Sequence, residues 1–271
     1  MPPGVTPTGV IGDGVPELTR DGFLDGRLMI WQPRDGYRAA IDPVLLAAFV
    51  PAESGESVLE LGCGAGTAVL CLGRRVEGLA LHGLEIQPAY AALARRNAAE
   101  NGIALTVLEG DVARPPPELR AASFDHVLMN PPFHPSGSAP ARDTGRDTAH
   151  REGEAKLSDW LDAGLRRLRP GGRLAIIHAP ARLGEILAAL SGRAGSIDIL
   201  PVSPRPGAPA RRILVSARKG RGGEIRLWPA FTLHEEASHS PAAGSYSSAA
   251  LSILRGAGGL WVSGCVRVTE Y

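Results

Sequence analysis

Apolar and polar positions change period repeatedly along this chain, and each change marks an element. Two short apolar runs, 23–24 and 28–31, flank Asp25-Gly26 and predict a hairpin. Asp42-Pro43 opens an apolar helix over 44–50, with Asp42 as its N-cap and Pro43 at the first helical position. Strand-like and helical stretches then alternate. Strands are expected at 57–61, 79–85, 104–109, 124–130 and 173–178, and helices at 65–75, 88–101, 156–168 and 182–190. Residues 197–202 and 212–217 read as two further strands with no helix between them. This alternation predicts an α/β fold, a doubly wound and mostly parallel sheet of seven strands with helices on both faces. The helix-less last pair predicts an antiparallel edge.

Residues 115–120 and 134–153 are rich in Pro, Gly, Ser and Asp and predict loops. A loop as long as the second is usually either a functional lid or disordered. From Gly222 onward the pattern is weak, although 260–268 alternates loosely enough for a terminal strand. The expected organisation is a flexible N-terminal tail over 1–22, one domain over 23–220 and a C-terminal extension over 221–271.

A length of 271 residues suits one large domain with appendages, and 44% hydrophobic with 21% charged residues is a globular composition. No apolar run approaches the ~20 residues that span a bilayer. Met1-Pro2-Pro3-Gly4 lacks a basic-then-apolar signal pattern, so a cytosolic protein is expected. Cys63, Cys71 and Cys265 are odd in number and lack metal-ligand spacing, which predicts thiols and no metal site. A net charge of +1 does not announce a nucleic-acid binder, but its distribution is uneven. Between 201 and 226, Arg205, Arg211, Arg212, Arg218, Lys219, Arg221 and Arg226 face a single acid, Glu224. Such a patch is an electrostatic footprint for phosphates.

Two motifs carry chemistry. Asn130-Pro131-Pro132-Phe133 ends the fourth sheet strand. The prolines stop the ladder and stiffen the chain, so the Asn130 carboxamide and the Pro131 carbonyl are held as two fixed acceptors, with Phe133 as a flat apolar face. Two acceptors gripping the hydrogens of a planar NH2 group pull its nitrogen towards a reactive geometry. Glu60-Leu61-Gly62-Cys63-Gly64-Ala65-Gly66 ends the first sheet strand and opens a helix, where glycines let a ligand approach the backbone. Glu85, at the end of the next strand, is placed for a ribose diol, and Asp111, after the third, for an adenine amine. Gly-x-Gly-x-Gly is not the spacing of dinucleotide sites, and the Asn-Pro-Pro-Phe stretch has no part in hydride transfer. The pair therefore points to an S-adenosylmethionine (SAM)-dependent methyltransferase. His134 and His150 are candidate proton acceptors, and His178 reads as a core or pocket-wall residue.

With these motifs the chain resembles the class I methyltransferases. The stretch from Gln32 to Leu46, Gln-Pro-x-x-Gly-Tyr-Arg…Ile-Asp-x-Val-Leu-Leu, narrows the resemblance to the bacterial tRNA adenine-N6 methyltransferases that act beside the anticodon of a valine tRNA. The resemblance implies a Rossmann-like fold with SAM as cofactor and a tRNA as substrate, in a monomeric, cytosolic enzyme without metal. It implies that Glu60, Gly62, Gly64 and Gly66 shape the methionine and ribose pocket. Glu85 and Ile86 would meet the ribose, Asp111 and Val112 the adenine, and Asn130 to Phe133 the target base. Tyr37, Arg38 and Asp42 would roof the cofactor, with 23–50 as the roofing segment. His134 after the site motif also occurs in guanine-N2 methyltransferases of ribosomal RNA, and glutamine-N5 methyltransferases share the Asn-Pro-Pro-aromatic logic. A SAM- or RNA-binding module without turnover is the alternative from another class.

Overall fold

Successive side chains of the central strands enter opposite layers, as a strand's period of two requires. Val58, Leu128, Ala175 and Ile177 point into one core, and Leu59, Val127, Met129, Leu174 and Ile176 into the other. The computed structural model describes residues 17–36, 38–132, 155–235 and 246–260. In chain order its sheet strands are β3 (Ser57–Leu61), β4 (Ala80–Glu85), β5 (Leu105–Glu109), β6 (Phe124–Met129), β7 (Leu168–His178), β8 (Ala194–Ser203) and β9 (Arg212–Lys219). The seven expected strands are all present, in the order β8-β9-β7-β6-β3-β4-β5, with β9 antiparallel to both its neighbours. The sheet is wider than expected, because β10 (Ile225–Leu227) and β11 (Phe231–Thr232) add to β8 in parallel.

Those two additions lie in the weakly patterned extension. Phe231 of β11 packs on the apolar core, whereas β10 is held less by apolar content than by Asp198, a fully buried acid on β8. Arg226 reaches its two carboxylate oxygens at 2.8 and 3.2 Å, and the Trp228 indole donates to it at 3.0 Å. Further on, α7 (Ser248–Leu254) packs on α1, and the Leu260 amide donates to the Ala48 carbonyl at 2.7 Å. The terminal strand expected at 260–268 lies outside the described residues, apart from Leu260.

On one face of the sheet lie α1 (Ile41–Phe49), α2 (Thr67–Arg75) and α3 (Pro88–Glu100). The other face carries α4 (Pro117–Ala121), α5 (Leu157–Arg167) and α6 (Leu183–Leu190). α4 occupies a stretch expected to be loop. The hairpin pairs β1 (Leu18–Phe23) with β2 (Leu28–Pro33). β1 starts within the expected tail over 1–22. It is an edge strand of mostly polar residues, defined by its partner rather than by apolar content.

α1 also begins two residues earlier than expected. Its N-cap is Ala40, and Asp42 sits inside the first turn. The Asp42 carboxylate is engaged elsewhere, by the Arg212 guanidinium at 2.8 Å.

β3 is the first strand of the sheet in chain order and lies between β6 and β4. The chain runs outward from it through β4 to β5, then returns to lay β6 on its other side. The strand order therefore reverses between β3 and β6, and in open α/β sheets ligands bind outside the carboxyl ends of the strands at such a point.

Candidate active site

β3 delivers Glu60 and the glycine loop to this edge. Gly62, Gly64 and Gly66 have φ of 63°, 55° and 84°, a left-handed conformation that costs a side chain dearly. The three differ in what surrounds them. A Cβ on Gly62 would lie 2.5 Å from the Trp160 ring of α5, so this glycine makes room for an indole. At Gly66 it would meet Ala94 and Leu70 at 3.3 Å, where α2 packs on α3. The Gly64 amide is used by a carboxylate, donating to Glu85 at 2.7 Å.

Glu60 is 3% exposed and accepts from the Val69 amide at 2.9 Å, in the first turn of α2. Burial pushes its carboxyl up to about 8; the Val69 bond pulls the other way, and the negative charge of Glu85 adds to the rise. Glu85, also buried, accepts from Gly64 with one oxygen and from Gln87 with the other, at 2.7 and 2.9 Å. Each carboxylate oxygen thus accepts a backbone amide and is fixed in place. Ile86 beside it is 39% exposed. Asp111 follows β5, half-buried, and accepts from Ala113 at 2.8 Å, while Val112 is buried. Burial holds the Cys63 thiol well above its ordinary range, which leaves it an unreactive small residue of the loop.

A cavity over the β3–β6 reversal is lined by Glu60, Gly62 and Thr67 on one side and Asn130 on the other. Gln32, Ala39, Pro43 and Tyr90 close it. Asn130 follows Met129, the last residue of β6; Pro131 is buried and Pro132 half-buried. The two sequence motifs thus meet in one cavity. Glu85, Ile86, Asp111 and Val112 stand further along the same edge, at the ends of β4 and β5. Phe133 and Tyr37 lie outside the described residues, as do His134 and His150. His178, fully buried at the end of β7, accepts from the Ala179 amide at 2.8 Å. Burial lowers its imidazole to about 4, with the neighbouring Arg182 adding to that and a bond to the Pro132 backbone opposing it.

Sequence reasoning missed Gln32 and Tyr90 as wall residues. Gln32 is 2% exposed, and a buried polar side chain at the end of an apolar strand was the signal available. It accepts from Ala39 at 2.7 Å and donates to Asp21 at 3.0 Å. Arg38 is turned into the same network: it donates to Thr19, Pro33 and Asp21 at 2.6, 2.9 and 2.7 Å. The Gln-Pro-x-x-Gly-Tyr-Arg segment therefore folds back on the hairpin through Gln32 and Arg38, which brings Ala39 and Pro43 to the cavity.

The basic patch does not hold together as one surface. β9 is antiparallel, so Arg205, Arg211 and Arg212 lie at the site edge, beside the turn from β8 and next to His178. Arg218 and Lys219 lie at the opposite edge, about 20 Å away at a strand's rise per residue. There Lys219 donates to the Leu168 carbonyl at 2.6 Å.

Residues 41–185 match the model of the methyltransferase small domain. The chain belongs to that family. Among curated relatives, the tRNA1(Val) (adenine(37)-N6)-methyltransferase of Yersinia enterocolitica is 29% identical over 234 residues, 83% of this chain and 90% of that protein. Its counterpart in Yersinia pseudotuberculosis is 28% identical over 218 residues, 78% of this chain and 84% of that one. Among solved structures, a predicted O-methyltransferase of Agrobacterium tumefaciens superposes with a TM-score of 0.65 at 28% identity, over 80% of this chain and 97% of that one. A 16S rRNA N2 G1207 methyltransferase of Thermus thermophilus, TM-score 0.52 at 21% identity over 75% of this chain and 50% of that one, shares the fold. The fold is that of the class I methyltransferases, and the family's matched stretch runs from α1 through the glycine loop and Asn130 to α6.

Proposed function

We propose that the protein transfers the methyl group of SAM to the exocyclic N6 of an adenosine in a tRNA, at the purine next to the anticodon. One observation carries this reading: Asn130, just after β6, Glu60 on β3 and Gly62, just after β3, line a single cavity at the point where the strand order reverses. The names of the Yersinia relatives support the adenosine and the tRNA.

The residues suit the cofactor. Glu85, at the end of β4, is placed for the ribose hydroxyls and Asp111, after β5, for the adenine amine, while the left-handed glycines keep side chains off the loop. SAM supplies an electrophilic methyl on a sulfonium; the chain supplies position. The Asn130 carboxamide and the Pro131 carbonyl accept the two hydrogens of the target amine and turn its lone pair towards the methyl. Phe133 stacks on a base turned out of the loop, worth ~1–3 kcal/mol, and an already unpaired nucleotide is the cheapest to turn out. No strong base is needed, since the nitrogen becomes acidic once methylated. Among the described residues no helix is long and apolar enough to cross a membrane, and no group of three or more side chains is arranged for a metal. The reading is of a monomeric enzyme that meets its tRNA in the cytosol.

Incubation with SAM carrying a tritiated methyl, total cellular RNA and cellular protein, followed by nucleoside and amino-acid analysis, tests it. N6-methyladenosine is the expected product. Methylguanosine, label in protein glutamine, or no label at all would each overturn the adenosine reading.

A further inference from the structure

His178 stands behind the Asn130-Pro131-Pro132 motif. β7 runs parallel to β6 with Ile176 level with Met129, so the continued register brings His178 level with Pro131 at the same carboxyl edge. Ile176 and Met129 face the layer of α5 and α6, and by the strand's period of two His178 faces it as well. Asn130 turns the other way, into the cavity with Pro43 of α1 and Ala68 of α2. On the side away from β6, His178 pairs with Ile213 of β9, and its ring is fully buried.

Two hydrogen bonds fix the state of that ring. The Ala179 amide donates to Nδ1 at 2.8 Å, so this nitrogen carries no proton. A neutral imidazole then bears its single proton on Nε2, as a donor. The acceptor is the backbone carbonyl of Pro132. The charged side chains nearby are engaged with one another or elsewhere: Arg182 holds Glu185 at 2.9 and 2.6 Å, and Arg212 holds Asp42 at 2.8 Å.

A pair of prolines needs such a donor. Pro131 and Pro132 have no N–H, so the ladder of β6 cannot hold them by their own donation. Their carbonyls are what a neighbour can grip. The ring of Pro132 sets its φ, so a bond on the Pro132 carbonyl leaves little freedom to the preceding peptide, which carries the Pro131 carbonyl.

We infer that His178 is a positioning residue for methyl transfer: its Nε2–H ties the Pro132 carbonyl back to β7, which keeps the Pro131 carbonyl and the Asn130 carboxamide at the spacing that grips the target amine. The inference rests on the methyltransferase reading and its amine clamp. A reacting group misplaced by about 1 Å costs ~10²-fold in rate, whereas the cofactor side chains at the ends of β3, β4 and β5 keep their own supports.

Two variants separate the two bonds of the ring. His178→Asn keeps an oxygen near the place of Nδ1 for the Ala179 amide but is too short to reach Pro132. His178→Gln carries an N–H near the place of Nε2. With tritiated-methyl SAM and total tRNA, His178→Asn should lower kcat roughly 10–100-fold and leave the SAM dissociation constant within about threefold. His178→Gln should restore most of the lost rate. Equal rates in the two variants, or a loss of SAM affinity as large as the loss of kcat, would overturn the inference. Asn130→Ala, assayed alongside, separates it from the reading beneath it. A full rate in Asn130→Ala would overturn the clamp and the inference together, and a slow Asn130→Ala beside a His178→Asn at full rate would overturn the inference alone. Nitrogen NMR of the imidazole in the wild-type chain at pH 7 adds a check that needs no variant to fold. Protonated Nε2 with bare Nδ1 is expected; the other tautomer, or a doubly protonated ring, would overturn the inference.

Discussion

The side chain of Asn97 replaces a strand for Trp31. Its carboxamide accepts from the Trp31 amide at 2.8 Å and donates to the Trp31 carbonyl at 3.1 Å. One turn later Asn101 does the same for Met29, at 2.8 and 2.7 Å. β1 covers one edge of β2, and Asn97 of α3 with Asn101 at its C-cap covers the other.

Asn97 is fully buried and also donates to the Ala65 carbonyl of the glycine loop at 2.9 Å. Asn97→Ala should therefore cost roughly 1–3 kcal/mol of stability, the penalty of buried groups left unpaired. It should also weaken SAM binding, because the hairpin and the loop lose their common tie. Asn101→Ala should cost stability with a smaller effect on affinity. Urea denaturation and calorimetry read the two effects separately.

Asn130→Ala should reduce methyl transfer by roughly 10²–10³-fold, the usual loss for one preorganised polar group. The SAM dissociation constant should stay within threefold. A fall in affinity as large as the fall in rate would show that Asn130 acts on the cofactor instead.

Glu85→Ala should act the other way. It removes the acceptor for the Gly64 and Gln87 amides as well as the proposed diol site. We expect SAM affinity to fall about 10–100-fold, or 1.4 kcal/mol per factor of ten. An unchanged dissociation constant would take Glu85 out of the site.

Separation of the basic patch predicts unequal roles. Arg205→Ala with Arg211→Ala should flatten the dependence of log affinity for tRNA on log salt by about 1–2, near 0.7–0.9 per phosphate contact. Arg218→Ala with Lys219→Ala should leave that slope alone. Arg212 is excluded from the set because its pair with Asp42 also holds α1 to β9.

Stability of the free protein should depend on pH through Glu60. Its carboxyl is raised from 4.5 in the unfolded chain to about 8, so the folded state binds the extra proton. Stability is full below 4.5 on this account and is lost as pH rises towards 8. His178 has the opposite sign: lowered from 6.5 to about 4, it withdraws stability as pH falls below 6.5. Among the described residues, Glu60 is the group whose shift spans pH 6.5 to 8. The melting temperature should fall across that window in the wild type and stay level in Glu60→Gln.

Much of this was legible in the sequence. Apolar period set the strands and helices of the doubly wound sheet, since each residue's neighbours along the chain decide which face it buries. Pro131 and Pro132 located the end of β6, and the glycine spacing located the loop after β3, because both effects are local to the backbone. Tertiary structure decided what depends on partners far along the chain. The polar strand β1 exists through its pairing with β2, β10 through Asp198, and β11 through its pairing with Val202 and Ser203 of β8. The direction of β9 split a continuous run of basic residues between two edges. Arg38 and Asp42 went to Asp21 and Arg212, partners 17 and 170 positions away. Gly62 was read as room for a ligand, and only packing placed the Trp160 ring against it. Sequence period fixes faces and ends; which side chain a buried charge or a bare Cα meets is settled when distant segments pack.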